Sequence, residues 1–338
     1  MFLSKGSLTK SSCIKIIIDN QVNSFEGLFD DCICINKINF KKFYRNSIEN
    51  MSQMFQNCSY LEELNLSKFN TKNVTDVSKM FNECKFLEKI SLDNFDTRNI
   101  KNMSEMFQGC SSLKHINLSN FNIINVTDMS HIFSKCSSVE EIDLSNMITN
   151  NLTTMCYMFH GCSKLKKINF SNFNTENVED MSLMFCGCSS LEEINLSSFN
   201  TKKVKDMCNM FSGCESLKQI NLSNFSTNIV EDMCGMFHKC SSLEGIDLSY
   251  FNTAEVKNMS NMFSGCESLK QINLSNFSTN IVENTCGMFR GCLSLKELNL
   301  PNLDNEDIKM ISMFSGCSEE LKMKIKNQLK FIKDEAFK

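Results

Sequence analysis

Met103 to Asp128 reads MSEMFQGCSSLKHINLSNFNIINVTD, and this stretch returns every 26 residues along the chain. With the methionine as position one, copies start at Met51, Val77, Met103, Met129, Met155, Met181, Met207, Met233, Met259 and Thr285, with nothing inserted or lost. A weaker copy starts at Phe25, where Leu28, Phe29, Cys32, Ile35, Ile38, Phe40, Phe43 and Ile48 take the apolar positions. Half a copy precedes it at Ile14, Ile17 and Val22. After Thr285 the spacing shortens by one residue and Met310 to Cys317 closes the array, giving eleven units and two fragments. A fixed period of this length marks a stack of like supersecondary units, each too small to bury its apolar face alone.

Within the unit, the residue before position one is of the helix N-cap type: Asn50, Asp76, Asn102, Asp128, Thr154, Asp180, Asp206, Asp232, Asn258 and Asn284. Apolar residues follow at positions one, four, five and eight, as in Met103, Met106, Phe107 and Cys110, which is the spacing of one buried face of a short helix. A Gly or small polar residue then closes that segment. Leu113 to Leu118 has the pattern L-x-x-I-x-L, whose later half alternates as a half-buried strand does, and Phe121 and Val126 add inward contacts on the return. The sequence therefore predicts an α/β solenoid over residues 25–317, with a parallel sheet on one side and short helices on the other. Residues 1–24, with the strand-like run Ile14 to Ile18, are expected to cap its start. Residues 318–338 are expected to form one amphipathic capping helix, with Leu321, Ile325, Leu329, Ile332 and Ala336 on its stripe and Lys322, Lys326, Lys330 and Lys333 outside it.

The L-x-x-I-x-L strand is similar to that of leucine-rich repeats. The whole unit, M-S-x-M-F-x-x-C-x-x-L-x-x-I-N-L-S-x-F-x-T-x-x-V-x-D, closely resembles the BspA-like leucine-rich-repeat surface proteins across residues 25–317. One departure is that Phe69, Phe95, Phe121 and Phe173 stand where Asn or Cys commonly follows the strand. An aromatic column is expected there in place of an Asn ladder. The resemblance implies a binding or adhesive surface, often on microbial cells, and no catalysis.

Across 338 residues the formal net charge is −4 and the pI near 5.7, which gives no bulk attraction to nucleic acid or an anionic surface. No run approaches the roughly 18 apolar residues of a membrane span. The N-terminal MFLSKGSLTKSSCIKIIID lacks the apolar core of a secretory signal. That and the cysteines favour a cytoplasmic setting, whereas the resemblance implies the cell surface.

Twelve of nineteen cysteines occupy position eight, from Cys32 through Cys110 to Cys317. A column of equivalent positions presents parallel side chains, so neither disulfides nor four-ligand zinc sites are expected along it. A ladder of reduced, buried thiols is expected instead. Outside it stand Cys13, Cys34, Cys156, Cys186, Cys208, Cys234 and Cys286. Cys208 and Cys234 share position two on consecutive rungs, and His160 and Cys186 share position six, but two ligands do not make a site. No phosphate loop, HExxH, GxSxG or paired carboxylates appear, so neither a metal nor a cofactor nor catalysis is expected. The Asn-x-Ser matches, such as Asn117 to Ser119, follow from the repeat consensus.

The expected role is a monomeric, non-enzymatic scaffold for a protein partner. Positions thirteen, fifteen and seventeen should face outward on the sheet. The last two are nearly constant, while position thirteen varies as Glu63, Lys89, His115, Glu141, Lys167 and Glu193. Residues 209–231 and 261–283 are identical, so individualised contacts are expected between the second and seventh units.

Overall fold

The computed structural model of the protein describes residues 22–38, 40, 47–301, 303, 307–329 and 332–338. The expected strand at Ile14 to Ile18, together with Cys13, Phe43 and Lys330, lies outside the described residues. The units stack as rungs of a solenoid, each pairing with its neighbours in parallel.

On the strand side, β1 (Lys37–Ile38), β2 (Glu63–Asn65) and β3 (Lys89–Ser91) pair in parallel, with Glu63 opposite Lys37 and Lys89. β4 (Glu141–Asp143) pairs with β5 (Lys167–Asn169), and β6 (Gln271–Asn273) with β7 (Glu297–Asn299). In β2, β4, β6 and β7 the middle residue is buried and its neighbours are exposed, the alternation read from L-x-x-I-x-L. Leu61, Leu64 and Leu66 all face the core. The sheet is nonetheless broken into three patches among the described residues.

The expected helices are absent from the rungs. Positions one to eight form tandem turns instead. In the rung of Met181, Met184 N–H bonds to Met181 O at 3.4 Å, Cys186 to Leu183 at 3.1 Å and Cys188 to Phe185 at 3.1 Å. Leu183 has φ +52° and Gly187 φ +77°, so the first and third of these turns carry a left-handed residue at their third place, as type II turns do. The alternate amides point forward along the solenoid axis. Met181, Leu183, Phe185 and Gly187 donate to Asp206, Cys208, Met210 and Ser212 of the next rung at 3.2, 2.8, 2.9 and 2.7 Å.

Two sequence signals misdirect here for a physical reason. An Asn or Asp before position one satisfies an early amide whether or not a helix follows. Here it closes an Asx turn: Asn50 Oδ1 accepts Ser52 N–H at 2.8 Å, and Asp180 Oδ1 accepts Ser182 N–H at 2.8 Å. The apolar set at one, four, five and eight faces inward equally well from successive turns. What departs from the helix is the left-handed residue at positions three and seven; glycine takes position seven in seven rungs, from Gly109 to Gly316, with φ of 71–79°, while Asp31, Asn57, Glu83, Lys135 and Lys239 adopt it at φ of 56–61° in the others.

Burial then follows by columns. The position-five rings stack from Phe29 through Phe185 to Phe314 with centroids 5.3–5.8 Å apart. Such pairs add about 0.5–1.5 kcal/mol each beyond area burial. At the opposite corner Phe69, Phe95, Phe121 and Phe173 are buried as expected. The turn carbonyls beside them are satisfied by other residues. Thr97 Oγ1 donates to Asn122 O at 2.9 Å while accepting Asn122 N–H at 2.7 Å, and Asn99 Nδ2 donates to Lys72 O at 2.7 Å. The Asn ladder is thus displaced along the sequence, not lost.

The C-terminal segment is shorter in helix than the sequence suggests. α1 spans Glu319–Gln328, with the Ser318 side chain accepting Leu321 N–H at 3.2 Å and with Leu321 and Ile325 buried. Leu329 and Lys333 are extended, and Asp334–Phe337 forms a 3₁₀ turn. The forward-pointing amides of the last rung explain this: Ser312 N–H and Phe314 N–H bond to Glu335 O at 2.8 Å and Ala336 O at 2.7 Å. Phe337 also continues the ring column on Phe314 at 5.5 Å, where a straight helix would leave both ladders open.

Candidate functional site

All six expected sheet-face residues are exposed, and four of them, Glu63, Lys89, Glu141 and Lys167, enter cross-rung ion pairs. Glu63 lies 3.3 Å from Lys37 and 3.8 Å from Lys89, and Lys167 lies 3.3 Å from Glu141. Position twelve repeats the arrangement, with Lys166 to Glu140 at 2.8 Å and Lys218 to Glu192 at 3.4 Å. Exposed pairs of this kind contribute little stability each. They bring opposite charges of neighbouring rungs together on the exposed face. A shallow open trough of about 430 Å³ lies on the same face at its N-terminal end, lined by Lys37, Glu63, Asn65, Lys68, Lys89 and Ser91. His115 and Glu193 stand on rungs where no strand forms, so the stripe is not one uniform surface.

The position-eight thiols are free, and those from Cys58 to Cys317 are buried, whereas Cys32 on the first rung is half-buried. Each thiol from Cys58 to Cys317 donates to the carbonyl of the phenylalanine on the preceding rung. Cys110 Sγ is 3.2 Å from Phe81 O, Cys136 Sγ is 3.1 Å from Phe107 O and Cys162 Sγ is 3.0 Å from Phe133 O. Desolvation pushes Cys58 and Cys136 up to about 12 and drives Cys84, Cys110 and Cys162 well above the ordinary thiol value. These thiols are structural donors, not nucleophiles.

A different cluster forms between two columns. Cys208 and Cys234 at position two, with Asp232 just before position one, place three donor atoms within 4.8 Å of one another, and all three residues are half-buried. Sequence reading places the two cysteines together but does not include Asp232, which belongs to another column. The close approach of the two thiols pushes them apart in acidity, lowering Cys234, which Ser260 assists, and raising Cys208. No third donor joins His160 and Cys186 among the described residues. No helix of the described residues is long and apolar enough to cross a membrane.

A family model described as "Mycoplasma protein of unknown function, DUF285" matches residues 23–146, 127–221 and 215–327. The chain belongs to the DUF285 family. No curated protein matches this DUF285 chain. Among solved structures it is similar to a leucine-rich repeat protein from Bacteroides ovatus, at 20% identity and TM-score 0.50 over 93% of this chain and 85% of that one. It also matches a leucine-rich cell surface protein from Faecalibacterium prausnitzii at 17% identity and TM-score 0.29, over 71% of this chain and 83% of that one. A leucine-rich repeat protein from Eubacterium ventriosum matches at 16% identity and TM-score 0.34, over 81% and 76%. The first likeness establishes the fold of this DUF285 chain as a leucine-rich-repeat solenoid. At such identity it speaks to fold alone.

Proposed function

We propose that the protein is a non-enzymatic scaffold that binds a protein partner along its sheet face, with units 25–317 as the binding array and the flanking segments as caps. The observation that supports this is the exposed position-thirteen stripe, in which the side chain and its charge vary along the rungs over a near-constant polar floor. A rigid repeat backbone holding variable side chains at fixed spacing is how solenoids present extended binding surfaces. A second reading is an adhesin of the BspA-like type on a microbial surface, which the 26-residue unit supports through its resemblance. Protease shaving of intact cells separates the two readings.

Reversing Lys89→Glu, Glu141→Lys, Lys167→Glu and Glu193→Lys together tests the binding face. Lys167 and Glu141 exchange roles and keep their pair, so thermal stability should shift by less than about 1 kcal/mol. Capture of the partner that the wild-type protein recovers should fall. Undiminished capture moves the binding surface to the loops or to α1.

A further inference from the structure

We propose that Cys208, Asp232 and Cys234 form a binding site for a soft divalent cation of the zinc class, with an open fourth position. The donors are two sulfurs and a carboxylate oxygen, the set that such an ion takes in a three-ligand site completed by water. They lie within 4.8 Å of one another. Two sulfurs at the usual distance from a tetrahedral zinc sit roughly 3.8 Å apart. Half-buried side chains close the difference by small rotations.

The objection to metal in a repeat column is that equivalent positions present parallel side chains. This cluster escapes it because Asp232 comes from a different position of the unit, so its carboxylate is not one more member of the parallel column. Its setting is also built. Asp232 Oδ1 accepts Cys234 N–H at 2.7 Å, and Asp232 Oδ2 accepts from Asn258 Nδ2 at 3.1 Å, which holds the carboxylate in place as outer-shell partners do. Asn209 Nδ2 donates to Cys208 Sγ at 3.0 Å, and Ser260 Oγ donates to Cys234 Sγ at 3.2 Å. Each sulfur thus accepts a hydrogen bond from a neighbouring polar side chain. On binding, two metal–sulfur bonds and one metal–oxygen bond form, and any thiol proton leaves to solvent.

The cluster is also singular. Position two carries Ser52, Ser78, Ser104, Ser130, Cys156, Ser182, Cys208, Cys234, Ser260 and Cys286, so cysteines stand on consecutive rungs once. There the residue before position one is Asp, where the next two rungs carry Asn258 and Asn284. In a sequence that otherwise repeats closely, this departure falls where the three donors converge.

The repeat also supplies conservative variants. Ser at position two and Asn before position one are residues that other rungs carry, so Cys208→Ser, Cys234→Ser and Asp232→Asn preserve the fold, which circular dichroism checks. The full chain, reduced with a phosphine and stripped by chelator, is titrated with Co²⁺ and then with Zn²⁺ in competition. The expected result is one equivalent of Co²⁺ giving a thiolate-to-cobalt charge-transfer band that Zn²⁺ bleaches. Cys208→Ser and Cys234→Ser should each abolish the band, and Asp232→Asn should weaken binding by more than about tenfold. Cys156→Ser and Cys286→Ser, at position-two cysteines without a cysteine on the next rung, should change nothing. Absence of the band in the folded, reduced protein, or its persistence in the Cys208→Ser, Cys234→Ser double variant, overturns the proposal.

Discussion

Two sides of the same rung hold this solenoid together differently. On the turn side, parallel bridges run without a gap from Ser24 through Asn50 and on to Lys309. Four amides per full rung bond forward there, as from Met181 to Gly187. On the strand side the pairing breaks into three patches. The duplicated block shows one cause, for the gap at 219–221. Residues 219–221 and 271–273 have the same sequence, yet only Gln271–Asn273 forms a strand. What differs is the following rung: Gln271 faces Glu297 in β7, while the rung after 219–221 carries Gly245 at the corresponding position. Glycine weakens a strand because it has no side chain to pack and much backbone freedom to lose. The strand side depends on its neighbours' side chains, whereas the turn side rests on backbone bonds that every rung supplies.

The largest expected effect comes from the thiol ladder on the turn side. Its pKa values are raised in the folded state above an ordinary value of 9.0, to about 12 for Cys136. The unfolded chain therefore releases protons first as pH rises. The stabilisation is fully present below pH 9 and is lost on the way to 12. Between pH 9 and 10 each ladder thiol should subtract about 1 kcal/mol from stability. Denaturant melts at those two pH values, with serine variants of Cys110 and Cys136 for comparison, measure it. A flat profile removes the thiols from the account of stability. Alkylation at neutral pH should mark exposed Cys34 quickly and leave Cys110, Cys136 and Cys162 unmarked until denaturant is added.

Next in size is the ring column. Phe185 sits between Phe159 and Phe211, with centroids at 5.6 and 5.5 Å. Phe185→Ala should cost about 3–5 kcal/mol. Phe29→Ala, on the first described full rung and slightly less buried, should cost less, because end rungs open more readily. Equal losses in denaturant melts would contradict a stack whose rungs support one another from both sides.

Smaller effects separate the two sides by a single glycine on each. Gly187 has φ +77°, and an added Cβ would lie 3.4 Å from Gly161 Cα. Gly187→Ala should cost about 1–2 kcal/mol. Gly245 has nothing within 4 Å of an added Cβ. Gly245→Thr should raise stability by less than about 1 kcal/mol and extend the sheet toward 219–221. Destabilisation by the second change would mean that the gap in the sheet has another cause.

Much of this was legible in the sequence, because a strict period fixes register and sorts residues into columns. The buried Leu61, Leu64 and Leu66, the thiol ladder and the exposure of Glu63 to Glu193 all follow from position in the unit. The helix did not follow, since Asn50 and its counterparts cap an Asx turn as readily as a helix, and the glycine at position seven, which favours a left-handed turn residue, is present in only some of the rungs. The 3₁₀ turn Asp334–Phe337 answers to amides of Ser312 and Phe314, which become visible as donors only once the rungs are turns. The Cys208, Asp232 and Cys234 cluster joins different columns, and column-by-column reading does not cross between them. The ion pairs of the sheet face were missed for a related reason: Glu63 and Lys89 are 26 residues apart and meet only in the stack.

Amide hydrogen exchange within one central rung tests the turn-side spine most directly. Met181, Leu183, Phe185 and Gly187 donate forward to the next rung, and residues 193–195 of the same rung lie in a gap of the sheet. The account predicts that the first set exchanges only with global opening, while the second exchanges faster by local fluctuation. Equal or greater protection at 193–195, or rapid exchange at Phe185, would show that the strand side holds the solenoid together instead.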